Sequence, residues 1–162
     1  MPRNKQNYCG FTLIELAITL TIIGIVAAVL FVTWPSFTIN LGAQTELLAD
    51  DIRYTQNLSL SRSERYRLVK TSATSYQITN SAGVAVVMPT GSSTINLGDG
   101  ISFGALTNLP NDFIVFDSKG VPYVDLGSPG TPLNAAATIT LVANGNTKVI
   151  LIYSETGWVS VP

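Results

Sequence analysis

The chain has no histidine and a single cysteine, Cys9. That removes imidazole bases, imidazole metal ligands and any internal disulfide at once. Serine is abundant, but a serine nucleophile without histidine needs a lysine base, and neither Lys119 nor Lys148 stands in an S-x-x-K spacing. Gly98, Gly100 and Gly104 in LGDGISFG could suggest a phosphate-binding loop. Such a loop must open a helix and carry a lysine; here it leads into Ile101, Ser102 and Phe103, so it reads as a turn. Asp99, Asp112, Asp117 and Asp125 could offer oxygen ligands to calcium, yet they lack the dense alternation of a calcium loop, and turn chemistry accounts for them better. The chain is therefore read as non-enzymatic, with no cofactor and no metal.

Two charged features remain. Arg62, Arg65, Arg67 and Lys70 gather against Glu64 alone, which suits nucleic acid or lipid headgroups, or equally cations at a helix carboxyl end running into a solvated strand. No second basic cluster supports the first reading. Beyond Thr71, Lys119 and Lys148 face five acids, a balance of −3. Nucleic-acid binding is therefore not expected.

The second feature is Glu15, set near the start of an apolar run. Between Leu16 and Thr45 lie 30 residues without a formal charge, and the most apolar part, Phe11 to Val32, is 22 residues long. As a helix it would measure roughly 33 Å, enough to cross a hydrocarbon core about 30 Å thick. Arg3 and Lys5 precede it, so the positive-inside tendency keeps the amino terminus cytoplasmic and sends the rest across. A secretory signal peptide cut near Ala27 and Ala28 is the competing reading; the run is longer than such segments and contains a glutamate. A carboxylate costs on the order of 2.5–3.5 kcal/mol at a bilayer centre, so Glu15 needs a reason beyond tolerance near the headgroups.

These groups must be positioned by a helix followed by strands. Leu41, Gln44, Leu48, Ile52, Thr55 and Ser59, with Leu47, Tyr54 and Leu58, keep helical spacing, and Asp50, Asp51, Arg53, Gln56 and Asn57 fall largely elsewhere on the circumference. The helix is expected to reach about Arg62, with a bend near Trp34-Pro35. From Tyr66 the period changes to two, in YRLVKT, SYQITN, VAVVM, STINL, ISF, FIVF, VPYVDL, ATITLVA, KVILIY and WVSVP. Turn signals at Asn80–Gly83, Asp117–Gly120, Asn144-Gly145 and Ser154–Gly157 divide them, and Leu126–Asn134 is the expected long surface loop. The predicted class is α+β: a long amino-terminal helix packed on an antiparallel β head. The organisation predicted is a leader at 1–10, a transmembrane helix at 11–34, its amphipathic continuation at 35–64 and a head at 65–162.

Gly10 to Leu16, GFTLIEL, resembles the class III signal of type IV pilins and type II secretion pseudopilins. The resemblance implies that a prepilin peptidase cuts between Gly10 and Phe11, that Phe11 is then N-methylated, and that Glu15 assists filament assembly. Cleavage would remove Cys9. It further implies other pilins in a helical filament and an inner-membrane assembly machinery as partners, with the head in the periplasm. LLADDIRYTQNLSLSRSERYRLV and, much later, TITLVANGNTKVILIYSETGWVSV resemble the GspH/FimT group of minor pseudopilins and minor pilins. That resemblance implies a structural subunit that helps to initiate or cap the filament. A DNA-binding minor pilin and a major pilin are the alternatives. DNA-binding members of the group carry an arginine-bearing motif near the carboxyl terminus, where SETGWVSVP has no cation.

Overall fold

A computed structural model describes residues 12–32, 36–88 and 91–162. It divides into two compact units, Met1–Pro35 and Ser36–Pro162. The first contains α1 (Leu13–Val32), 20 residues with one charge, Glu15. Counted over the described residues alone, no helix is long and apolar enough to cross a membrane. The expected bend at Trp34-Pro35 lies outside the described residues.

The second unit opens with α2 (Ser36–Arg62). Leu41, Thr45, Leu48, Ala49, Ile52, Thr55, Leu58 and Ser59 form its buried stripe, at the three- and four-residue steps of a helix facing a core. Leu47, expected inside, is 55% exposed: small Ala49 and Thr45 take the inner face, where their size lets α2 sit close to the sheets. Three hydroxyls on this stripe fold back onto their own helix, Thr45 to Leu41 O (2.7 Å), Thr55 to Asp51 O (2.7 Å) and Ser59 to Thr55 O (3.1 Å), so burying them leaves no orphaned donor. The helix stops at Arg62 because Ser63 turns left-handed (φ 52°).

Among the described residues nine strands follow: β1 (Tyr66–Lys70), β2 (Ser75–Asn80), β3 (Ile95–Asn96), β4 (Ile101–Thr107), β5 (Phe113–Phe116), β6 (Pro122–Tyr123), β7 (Ala137–Ala143), β8 (Asn146–Ile152) and β9 (Val159–Ser160). They make two antiparallel sheets, ordered β3-β2-β1-β5-β6 and β4-β7-β8-β9. α2 packs against β1 and β5 of one and β7, β8 and β9 of the other. Every second residue of β7 is buried, and Ile139, Leu141, Ile150 and Ile152 meet Leu68, Ile78, Ile114 and Phe116 in one core with Leu48 and Ile52. Among the residues whose burial is described, those of that core lie between Leu41 and Val159, within the second unit.

Asn144-Gly145 forms the expected hairpin between β7 and β8, with φ of 48° and 79°, the positive pair that a two-residue turn of matching twist requires. VAVVM, expected as a strand, makes a single bridge, Ala85 to Thr79, because β3 occupies the other end of β2. β4 is longer than expected. It absorbs a register shift between Phe103 and Leu106 at Gly104, where a Cβ would meet Val142 Cγ2 at 2.8 Å.

Candidate functional site

The amino-terminal motif is organised by Thr12. Its hydroxyl accepts the Glu15 amide at 3.3 Å, and its carbonyl accepts the amides of Glu15 and Leu16, both at 3.1 Å. Thr12 therefore caps α1, with Glu15 three residues further on, the T-x-x-E spacing of a capping box. The sequence reading did not draw on this spacing, although it was visible. It puts the carboxylate in the first turn of α1, where the helix dipole favours a negative charge.

Beyond Glu15, Leu13, Ile14, Leu16, Ile18, Leu20, Ile22, Ile23, Ile25 and Val26 are each more than half exposed, on every side of the helix. The hydroxyls of Thr19 and Thr21 donate to Leu16 O (2.9 Å) and Ala17 O (2.8 Å). Described this far and apart from Glu15, α1 presents a mainly apolar surface whose threonine hydroxyls at 19 and 21 are satisfied by its own backbone, which suits a non-aqueous surrounding or a bundle of like helices. Cys9, Gly10 and Phe11 lie outside the described residues, so the scissile bond and the methylation position remain sequence expectations.

In the head, the basic segment is spent on the fold. Arg65 donates to Gly127 O and stacks 4.6 Å from the Tyr123 ring centroid. Arg67 Nε donates to Thr79 Oγ1 at 2.7 Å and lies over Phe113 at 5.6 Å. Lys70 pairs with Asp112 at 3.6 Å, and Arg62 reaches the Tyr66 hydroxyl at 3.5 Å. The cations are thus distributed along β1 and the helix end.

The acids behave similarly. Asp117 Oδ1 accepts the amides of Lys119 (2.8 Å) and Val121 (2.9 Å). Asp125 Oδ1 accepts those of Gly127 and Thr131, both at 3.0 Å, closing the 126–134 loop. Hydrogen bonds from Thr131, side chain first and then amide, with the Gly127 amide and the Arg65 charge adding to them, hold the Asp125 carboxyl below its ordinary range. Among the described residues no group of acids or sulfur ligands is arranged to hold a metal ion.

Two polar links that sequence reasoning missed fasten α2 to the head. Tyr76 donates to Asp51 Oδ2 at 2.6 Å. Burial raises the Asp51 pKa against the opposing Tyr76 hydrogen bond, with Asp50 adding to the rise, and burial together with Asp51 raises that of Tyr76. Gln56 Nε2 donates to Gly120 O and Thr156 O, both at 2.9 Å, and so joins α2 to a turn of each sheet. Neither partner could be read from periodicity, since both links join groups far apart in sequence.

An exposed apolar amino-terminal helix, and a second helix covered by two antiparallel sheets, define an α+β pilin fold. The profile of the prokaryotic N-terminal methylation motif matches residues 5–31. Among solved structures the chain is similar to the type IV minor pilin FimU of Pseudomonas aeruginosa, with a TM-score of 0.53 and 14% identity over 75% of this chain and 87% of that one. A second crystal form of FimU gives a TM-score of 0.52 at 15% identity, covering 75% and 92%. The chain is also similar to the minor pseudopilin EpsH from the type 2 secretion system of Vibrio cholerae, with a TM-score of 0.56 and 8% identity over 76% and 96%. No curated protein matches the chain in sequence. The chain thus carries the N-terminal methylation motif of prepilins, and its fold is that of the minor pilins and pseudopilins.

Proposed function

We propose that the chain is a minor pilin or pseudopilin, a structural subunit that helps to initiate or cap a type IV pilus or a type II secretion pseudopilus. One observation carries this reading: the methylation motif at 5–31 precedes a head with the fold of FimU and EpsH. Prepilin peptidase cuts between Gly10 and Phe11 and Phe11 is methylated. The apolar segment 11–34 anchors the subunit in the inner membrane with a cytoplasmic amino terminus and a periplasmic head. Assembly machinery then lifts α1 into a bundle of like helices. There an unpaired carboxylate and an unpaired terminal ammonium are each costly, and pairing Glu15 with the amino terminus of a neighbouring subunit relieves both.

The work of such a subunit is mechanical, and no catalytic step is assigned to it. DNA uptake is the less supported reading, because Arg65, Arg67 and Lys70 are engaged within the head, and counterion release needs several free cations on one surface. The test is Glu15→Val. Removing a charge from an apolar helix leaves membrane insertion intact, while incorporation into filaments, read by immunoblot of sheared filaments, falls at least several-fold. Normal incorporation of the variant would remove Glu15 from the assembly step.

A further inference from the structure

At the Ser154–Gly157 turn the pairing of β8 with β9 continues one step past Ile152 and Val159. Tyr153 N donates to Trp158 O at 2.9 Å, and the Gly157 amide takes the Tyr153 carbonyl at 3.0 Å. The Trp158 amide goes instead to the Thr156 hydroxyl at 3.2 Å, the bulged arrangement that a glycine at φ 65° allows. Ile152 and Val159 are buried in the core, so Tyr153 and Trp158 stand side by side on the outer face. They are 45% and 64% exposed, whereas tryptophan is on average well buried. With Ser154, Glu155 and Thr156 they line an open cleft of about 360 Å³.

Glu155 supplies the only charged side chain of that lining. Among the described residues no cation pairs with it. Arg53, which reaches Val159 O from α2 at 3.0 Å, is already held by Asp50 at 2.6 Å. Two aromatic rings beside such a carboxylate attract a cation and disfavour an anion. The chain beyond Thr71 has a balance of −3, which adds to both effects. A guanidinium fits better than an ammonium, because it can lie flat on a ring while it meets both oxygens of the carboxylate.

The sheet face leading away from the cleft is uncharged. Register sets Thr138 beside Leu151, Leu151 beside Ser160, and Thr140 beside Val149, all half-buried on the side where Tyr153 and Trp158 stand. Between Ala137 and Pro162 the only charged side chains are Lys148 and Glu155, and Lys148 is registered against buried Leu141, on the opposite side. Charge-depleted centres with exposed aromatic anchors are typical of protein contacts, where tryptophan, tyrosine and arginine carry most of the binding energy. We infer that the outer face of β7, β8 and β9 docks a partner protein, and that the Tyr153–Trp158 cleft receives an arginine of that partner, its guanidinium against the rings and paired with Glu155. The inference goes beyond the proposed function and does not rest on it, since the face belongs to the head alone.

The test uses the full chain in a non-ionic polyoxyethylene detergent, with Trp34→Phe so that Trp158 is its sole tryptophan. Trp158 emission is followed while N-acetylarginine amide, or a five-residue peptide with one central arginine between threonine and valine flanks, is added. Both should bind saturably, the peptide at least several-fold tighter because its flanks lie on the sheet face, and both should weaken as salt is raised. The same peptide with lysine should bind several-fold more weakly, and with neutral citrulline more weakly still. Glu155→Gln, at an exposed position, should keep the thermal midpoint and lose binding of both probes at least several-fold. Thr138→Lys should weaken the peptide and leave N-acetylarginine amide unchanged. No binding of the arginine peptide overturns the proposal, as does binding that is indifferent to citrulline or to Glu155→Gln. A peptide no tighter than N-acetylarginine amide would make the cleft a site for a free cation, and binding of a neutral chitin trisaccharide in its place would make it a sugar platform; either result counts against a protein partner.

Discussion

Tyr76 in β2 donates a 2.6 Å hydrogen bond to Asp51 in α2, joining the helix to the sheet through a carboxylate that burial holds above its ordinary pKa. A folded-state pKa raised above the unfolded value near 3.9 means that ionising Asp51 works against the fold. The associated stability is fully present below the unfolded pKa and declines as pH rises through the folded one.

Tyr76→Phe and Asp51→Asn should therefore diverge. The first strips a partly buried carboxylate of its donor and should cost about 1–3 kcal/mol at pH 7. The second keeps an acceptor for Tyr76 and removes the charge, so it should fall within about 1 kcal/mol of the parent and flatten the pH dependence. Urea unfolding of residues 36–162 at pH 4 and pH 7 measures both. Equal losses in the two variants would show that the carboxylate charge is not what is disfavoured.

Gly157 sits where the two turns meet Gln56. An added Cβ would lie 2.6 Å from Gln56 Nε2, 2.8 Å from Gly120 O and 2.9 Å from Phe116 Cε1, at a φ of +65°. Gly157→Ala should combine left-handed strain with overpacking and cost about 2–4 kcal/mol. Gly145→Ala has a φ of +79° and open space around it, so it should cost only about 1–2 kcal/mol. The difference between their thermal midpoints isolates the crowding. Equal midpoints would mean that the Gln56 junction yields.

Asp125 predicts an acid-sensitive loop. Its pKa is lowered first by hydrogen bonds from Thr131, so its contribution is present above the unfolded value near 3.9 and is lost as pH falls through the folded one. The amides of Gly127 and Thr131, which it accepts at 3.0 Å, should lose exchange protection below about pH 4, corrected for intrinsic rates. The β7–β8 amides should keep theirs. Protection that persists at Gly127 and Thr131 would assign loop closure to other groups.

What sequence pattern revealed, and what it missed, follows from the range of each interaction. The buried stripe Leu48, Ile52, Thr55, Ser59 and the Asn144-Gly145 hairpin depend on neighbours within a few residues, and both were legible. Leu47 was misplaced because hydropathy ranks it above Ala49, whereas close approach of helix to sheet selects the smaller residue. VAVVM has every local mark of a strand, but competition with β3 for one edge of β2 decides its pairing. Gln56 and the Asp51–Tyr76 pair were invisible because their partners lie tens of residues away. At the candidate site, the GFTLIEL motif pointed to Glu15 at once, while the Thr12 cap beside it went unread.

Processing at the Gly10–Phe11 bond is read from the intact mass and the amino-terminal peptide of the protein isolated from cells with an active prepilin peptidase. The expected product begins with N-methylated Phe11 and lacks Cys9. A chain that keeps Met1 to Gly10, or one cut near Ala28, would contradict it.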